Sequence, residues 1–315
     1  MLRLRAAQRE GLRDGLLYQQ LLRQLLEGEG EHQWQAQLQL KRDVLEDELL
    51  QVFPPLPSAR RCLARAVVQE LETLEEVEDD LFKLCTEEAS KSTGLGLQGH
   101  KIFEIGQGLV VLRVAEQIGG GLETGCVIWT GGCMLLGLCL SGAMDHLLTG
   151  HILELGAGCG LLGLSLALQG SQVTLSDAQP QVLDNLMYNV EATKRCKGQD
   201  LRVEVAHLDW CEPKDLQVDV LIGSDLAYDA EALPALAALL SRLLRPRGTA
   251  WHAILASMQR QESTMEVLKT QLTLHGLRWH TPSLADDAWR LAERWARHGC
   301  DAEAGASFVL MVVEA

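Results

Sequence analysis

The segment from His151 to Gly163, reading HILELGAGCGLLG, limits what this chain can fold into more than any other. Its apolar run Ile152 to Leu155 predicts a central strand of a parallel sheet. The glycines at 156, 158 and 160 let the chain turn, with no Cβ in the way, into a helix over 160–168. A helix that opens on such a loop presents backbone N–H groups to an anionic or polar ligand. The segment therefore predicts a cofactor site at the carboxyl edge of a sheet. Glycine spacing alone leaves the cofactor open: Gly158-Cys-Gly160-Leu-Leu-Gly163 also satisfies the dinucleotide pattern G-x-G-x-x-G, and Asp177 follows at roughly the 20-residue distance of a ribose ligand.

From residue 151 onward strands and helices alternate. Strands are expected over 151–155, 172–176, 201–206, 218–223 and 249–256, with helices over 160–168, 180–193, 231–244 and 262–275. Such alternation implies crossover connections and a mostly parallel sheet covered on both faces. The end departs from it: Leu277 to His280 and Ser307 to Val313 bracket a polar helical segment, and the last strand, with no helix after it, inserts antiparallel.

The first 90 residues read as helical. Leu16, Leu17, Tyr18, Leu21, Leu22, Leu25 and Leu26 form one stripe at helical spacing. A second helix runs through Val44, Leu45, Leu49 and Leu50 and stops at Pro54-Pro55-Leu56-Pro57. A third, carrying Cys62, Leu63, Ala66, Val67 and Leu71, continues into the acidic run Glu70 to Asp80, which reads as a solvated helix face. Ser90 to Gly99 marks a boundary between an accessory region, 1–90, and a catalytic domain, 91–315. Lys101 to Ile105 and Leu109 to Val114, separated by Gly106-Gln-Gly108, predict a β-hairpin. Gly119-Gly-Gly121 loosens the chain before Val127-Ile-Trp129, where a helix starts that carries Leu135, Leu136 and Leu138 into the core.

Composition removes several classes. With 28 Lys+Arg against 43 Asp+Glu the formal charge is −15, which disfavours attraction to nucleic acid phosphates and suits a basic protein partner. The nine cysteines are an odd number with no Cys-x-x-Cys, which argues for reduced, buried thiols over a disulfide framework, and no Cys/His pair has the spacing of a zinc finger. The longest apolar run, Val127 to Leu140, is too short and glycine-rich to span a bilayer, and the N-terminus lacks a secretory apolar core; the expected location is the cytoplasm.

Further acidic strand ends tilt the choice of cofactor. Glu154 stands two residues before the first glycine, Asp209-Trp210 follows Val203-Glu-Val205, and Asp225-Leu-Ala-Tyr228 follows Val218 to Ile222. In chain order, Trp129, Glu154-Leu-Gly-Ala-Gly-Cys-Gly160, Ser176-Asp177, Leu208-Asp-Trp210 and Ser224-Asp-Leu-Ala-Tyr228 resemble the seven-β-strand S-adenosylmethionine-dependent methyltransferases that methylate protein lysines. Ala59-Arg-Arg-Cys-Leu63, Gln98-Gly-His100 and Leu208-Asp-Trp210 narrow the resemblance to the elongation factor 2 lysine methyltransferase family, over roughly residues 40 to 315. The family commonly has Asp after the tryptophan, where this chain has Thr130 followed by Gly131-Gly132, and Asp286 to Asp301 carries no recognisable motif.

The resemblance implies a Rossmann-like seven-stranded sheet, mostly parallel with its last strand antiparallel, preceded by a helical segment and a hairpin. It implies that Gly156, Gly158 and Gly160 line the methionine part of the cofactor, with Glu154 organising the loop. Asp177 would accept from both ribose hydroxyls and Asp209 from the adenine amino group, while Trp129, Trp210 and Ser224 complete the cofactor's surroundings. Asp225 and Tyr228 would face the transferable methyl and position the lysine amine; Asp229 caps the next helix. The expected activity is transfer of methyl from S-adenosylmethionine to a lysine of elongation factor 2 by a monomer, with residues 1–90 helping to recognise that protein. The alternatives are a same-fold methyltransferase acting on another protein or a small molecule, a nicotinamide-dependent oxidoreductase, which leaves Asp209 and Tyr228 without a role, and a binding protein that keeps the pocket without catalysis.

Overall fold

The computed structural model describes residues 1–92, 98–115, 124–196, 200–212, 216–260, 262–299 and 307–315. The middle of the expected Ser90 to Gly99 boundary and the Gly119 to Gly121 tract lie outside the described residues. The chain divides into two compact units, Met1–Phe103 with Arg113–Leu122, and Glu104–Leu112 with Glu123–Ala315.

Among its described residues the first unit holds six α-helices, α1 (Leu2–Arg9), α2 (Gly15–Leu25), α3 (Glu31–Leu40), α4 (Glu48–Val52), α5 (Pro57–Leu71) and α6 (Asp79–Ser90). The apolar stripe of α2 is buried as Tyr18 and Leu22, in one cluster with Leu63, Val67 and Leu71 of α5 and Leu81 and Cys85 of α6. The Tyr18 hydroxyl donates to the Leu12 carbonyl at 3.0 Å, so its polar end has a partner inside the core.

Two expectations fail in this unit. The helix expected through Val44 to Leu50 is broken: Val44 and Leu45 end a π-helical turn, Lys41–Leu45, and a new helix starts behind Asp47. The Asp47 carboxylate accepts from the Leu49 N–H at 2.9 Å and from the Arg9 guanidinium at 2.7 Å, so a partner remote in sequence fixes the break. Helix α5 likewise stops at Leu71 instead of running through the acidic segment. Glu70 is buried and paired with Arg23 at 3.0 Å, and Glu78 caps α6 by accepting from Leu81 N–H, so the acidic run is a junction between two helices; Glu72, Glu75, Glu76, Asp79 and Asp80 are exposed in it, as expected of a solvated run.

Strands β1 (Gln98–Ile105) and β2 (Gly108–Ala115) form the expected hairpin. The second unit is built on a seven-stranded sheet of β3 (His151–Leu155), β4 (Gln172–Asp177), β5 (Val203–His207), β6 (Val220–Ser224), β7 (His252–Gln259), β8 (Arg278–His280) and β9 (Ser307–Glu314). Their spatial order is β5-β4-β3-β6-β7-β9-β8. Strand β3 pairs in parallel with β4 and β6, placing Ile152 beside Val173 on one side and Val220 on the other. Strand β9 runs antiparallel to both β7 and β8, as the missing helix after it predicts. This insertion departs from the all-parallel order of a dinucleotide-binding sheet.

The helices of this unit are α7 (Thr130–Leu140), α8 (Leu161–Leu168), α9 (Pro180–Arg195), α10 (Leu233–Leu243), α11 (Glu262–Leu274) and α12 (Asp286–Gly299). Leu153 and Leu155 join one core with Leu236, Leu240 and Leu243 of α10 and Leu268 and Leu272 of α11. Strand alternation therefore turns Ile152 and Glu154 to the opposite face. Helix α7 is buried on almost every side, which its sequence TGGCMLLGLCL allows. Helix α12 lies against it so closely that a Cβ at Gly137 would stand 2.5 Å from the Ala292 Cα.

That approach yields a stability test. Gly137→Ala is expected to destabilise the protein by about 1–3 kcal/mol through overpacking. The readout is a lower urea midpoint at unchanged slope; an unchanged midpoint would mean that the helices separate without cost.

Candidate active site

A cavity of about 600 Å³ opens at the carboxyl ends of β3, β4, β6 and β7. All of the sequence-predicted site residues except Gly160 line it: Trp129, Glu154, Gly156, Gly158, Asp177, Asp209, Trp210, Ser224, Asp225 and Tyr228. Gly160 instead opens α8 at φ +82°, and a Cβ there would press on the Leu186 side chain at 2.6 Å. Its contribution is to the turn and to core packing.

The loop after β3 is tied down by backbone bonds. Ala157 N–H donates to the Ser176 carbonyl at 2.8 Å, and the Asn189 amide donates to the Cys159 carbonyl at 2.9 Å. At Gly156, φ is +58° and a Cβ would meet Leu226 at 2.7 Å, so only glycine passes there without strain. Glu154, buried at the strand end, accepts from Gly163 N–H at 2.9 Å and so joins β3 to the first turn of α8. Burial pushes its carboxyl up to about 8, the Gly163 bond works against that shift, and the Asp177 charge adds to it.

Asp177 ends β4 and accepts from Gly158 N–H at 3.3 Å and Gln179 N–H at 3.2 Å. Burial holds its pKa above the ordinary carboxylate value, while those backbone bonds lower it. Asp209 accepts from Cys211 N–H at 2.8 Å, which fixes the turn that carries Trp210 to the wall. Trp129 is the N-cap residue of α7, and its indole N–H donates to the Thr124 carbonyl at 3.1 Å.

Asp225 is the most constrained of these residues. Among the described residues it alone, apart from glycines, has a positive φ, +52°. Its N–H donates to the Ala256 carbonyl at 2.8 Å and its Oδ1 accepts from Met258 N–H at 2.9 Å, so β7 grips it by both backbone and side chain. A Cβ at Gly131 would lie 2.7 Å from the Asp225 Cγ. The glycine at that place, where the family resemblance alone gave no account, is what admits the carboxylate beside the start of α7.

Tyr228 is 65% exposed, and its hydroxyl is hydrogen-bonded to Thr124. Partial burial, then the charges of Asp177 and Asp229, raise its pKa. Asp229 does not cap the next helix: it accepts from Glu231 N–H at 2.9 Å in the intervening turn, and α10 begins at Leu233 behind Ala232. Proline at the second helical position suits that later start.

Arg260 was missed. The strand expected over 249–256 continues, as β7, to Gln259 and delivers Arg260 to the cavity. The wall then carries the acidic side chains of Asp177, Asp209 and Asp225, with that of Glu154 held in its protonated form by burial in the unliganded protein, against one guanidinium among the described residues. Such a lining suits a cationic ligand with a ribose to be held by a strand-end carboxylate; a pyrophosphate would bring negative charge onto it, and the Gly163 N–H that could receive one is already engaged by Glu154. S-adenosylmethionine, with its sulfonium and nucleoside, fits these residues.

A family described as lysine methyltransferase matches residues 106–272. Over 280 residues the chain is 29% identical to the protein-lysine N-methyltransferase EEF2KMT of Homo sapiens, covering 78% of this chain and 83% of the relative. It is 35% identical over 126 residues to the protein N-lysine methyltransferase METTL21A of Danio rerio, covering 39% and 56% respectively. It is 28% identical over 194 residues to the EEF1A lysine methyltransferase 3 of Mus musculus, covering 61% and 76%.

The Glu154 environment predicts a pH signature. Because its folded-state pKa, about 8, lies above its ordinary value of 4.5, the folded protein holds a proton that the unfolded chain has lost between those limits. Stability of the unliganded protein therefore falls as pH rises through that window. Glu154→Gln keeps an acceptor for Gly163 and removes this titration. The urea midpoint of the variant is expected to fall less than that of the wild type between pH 5.5 and pH 8; equal falls would refute the assignment.

Proposed function

The chain belongs to the lysine methyltransferase family and transfers methyl from S-adenosylmethionine to protein lysine, and on that premise we propose elongation factor 2 as its substrate. The match to the elongation factor 2 enzyme supports this reading, because 78% of this chain is more than residues 91–315 contain. The similarity therefore enters the N-terminal region, to which we assign recognition of a large protein partner, with residues 91–315 as the catalytic domain. The reaction belongs in the cytoplasm, where such a substrate resides.

The observation that carries the site assignment is the pairing of a strained, doubly anchored Asp225 with Tyr228 on one cavity wall. Backbone strain held by so many bonds is a mark of functional sites. Asp177 is assigned to the ribose hydroxyls, Asp209 to the adenine amino group, and Trp129, Trp210 and Ser224 to the nucleoside's surroundings. Gly156 and Gly158 shape the methionine subsite, with Glu154 and Gly160 holding the loop.

When bound, S-adenosylmethionine supplies an activated methyl on a positive sulfur. The protein's task is then alignment and proton management. A free lysine has a pKa near about 10.4, so the neutral amine is scarce at pH 7. Partial desolvation in the cavity lowers that value. Asp225 and Tyr228 accept hydrogen bonds from the amine and orient its lone pair, which leaves the rate to positioning more than to a strong base.

A second reading is methylation of elongation factor 1A, favoured by the similarity to the mouse enzyme that bears that name. The two are separated by incubating the enzyme with methyl-labelled S-adenosylmethionine and a cytosolic extract, alongside purified elongation factors 2 and 1A. Label in factor 2 alone, lost with Asp177→Ala, is the expected result; label in factor 1A alone favours the second reading, and label only in small molecules removes both. Tyr228→Phe is expected to lower kcat on the labelled protein about tenfold, an effect of about 1.4 kcal/mol on the transition state. Unchanged turnover would remove the tyrosine from the mechanism.

A further inference from the structure

Arg260 follows β7 directly and is the sole cation among the described residues that line the cavity. Its Nη1 lies 4.0 Å from the Asp225 Oδ1, and its guanidinium carbon stands 4.9 Å from the centre of the Trp129 ring. The guanidinium is 35% exposed and the carboxylate 5%, so the pair joins a solvent-facing charge to a buried one.

These positions matter because methylation consumes a neutral amine. A buried carboxylate facing an incoming lysine does the reverse of what is needed: it favours the ammonium and raises its pKa. A guanidinium beside the same carboxylate offsets that field. The other titratable groups on the wall are Glu154 and Cys159 at the β3 edge, Asp177 of β4, Asp209 and Cys211 after β5, and Tyr228 after β6. All are acids, and none supplies the compensating charge.

We propose that Arg260 is a positioning residue for methyl transfer, holding the Asp225 carboxylate and the Trp129 indole and offsetting the carboxylate's charge so that the arriving lysine gives up its proton. This rests on the lysine-transfer reading of the same site. The ammonium proton passes to water. The freed nitrogen lone pair then forms the N–C bond as the C–S bond opens, the electrons of the broken bond remain on sulfur, and the positive charge moves to nitrogen. Arg260 touches none of the reacting atoms in this scheme. It acts through Asp225, while its flat face against Trp129 keeps the indole against the cavity.

The test is the pH dependence of kcat from pH 6.5 to 10 on purified elongation factor 2, at saturating S-adenosylmethionine, for the wild type, R260Q, R260K and D225N. The rising limb should move up by about one unit in R260Q, where the carboxylate acts alone, and stay near the wild-type position in R260K, which keeps the charge. In D225N, where the guanidinium acts alone, the limb should move down. A purely structural role for Arg260 would lower the plateau and leave the limb where it is, and that result in R260Q overturns the proposal. Should R260Q fail to fold, D225N decides: a downward shift supports the proposal and a stationary or upward limb overturns it. A wild type that labels a different protein removes elongation factor 2 but leaves the profile to be taken on that protein. A wild type that labels no protein at all removes the transfer reading itself, an outcome no Arg260 variant can mimic.

Discussion

The hydrogen bond from Gly163 N–H to the buried Glu154 carboxylate, 2.9 Å long, fixes the relation between the central strand and the helix that follows its loop. Everything on the cavity wall depends on that relation. Strand β3 sits between β4 and β6, so its end sets the level at which Asp177 and Ser224 emerge. The loop it launches is then bonded laterally, through Ala157 to Ser176 and Gly158 to Asp177. A carboxyl buried this deeply is costly as an anion, which is why its pKa climbs towards neutrality. A cationic ligand in the cavity would favour its ionised form. The cofactor site and the keystone of the sheet edge are thus electrostatically coupled.

Much of this was legible in the sequence wherever the signal was local and periodic. The apolar runs that became β3, β4 and β6 announce themselves, and the last strand runs antiparallel as expected, while its place between β7 and β8 emerges only from the sheet order. The acidic residues at successive strand ends predicted a shared edge, and they line one cavity. What escaped depends on partners far along the chain. The break at Asp47 rests on Arg9, and the end of α5 rests on the pairing of Glu70 with Arg23; neither contact leaves a trace in hydrophobic periodicity. Asp229 failed as a helix cap because a turn residue and a cap look alike in sequence, and the bond to Glu231 N–H closes the turn first. Arg260 was lost to a strand boundary misjudged by three residues, enough to move it from a cavity wall into a notional loop.

Asp225 shows how a site can draw its precision from a single strand. Two bonds to β7, from its own N–H to Ala256 and from Met258 to its carboxylate, hold a backbone conformation that a non-glycine residue otherwise avoids. The same strand, continued by one residue, presents Arg260 to that carboxylate. Strand β7 is itself locked on both sides, by parallel pairing with β6 and antiparallel pairing with β9 over seven residue pairs. The reversed strand thereby backs this corner of the cavity, since it stiffens the strand that grips Asp225 and carries Arg260 at its end.

The substitution pattern at the start of α7 follows from the same geometry. After the tryptophan, where the family resemblance implies an acid, this chain has Thr130-Gly131-Gly132. An acidic side chain there would add a fifth acid near a wall that already carries four acidic side chains against one guanidinium among the described residues. Glycine at 131 instead leaves room for the Asp225 carboxylate itself, and Gly132 admits the Ser224 hydroxyl, which a Cβ would meet at 3.1 Å. The helix start is positively polarised by its own peptide dipoles, so it favours a carboxylate brought against it and adds to the field of the Arg260 guanidinium 4.0 Å away. In this chain the negative charge at the head of α7 is supplied from β6 and gripped by β7, and the two glycines are the space that makes the transfer of that role possible.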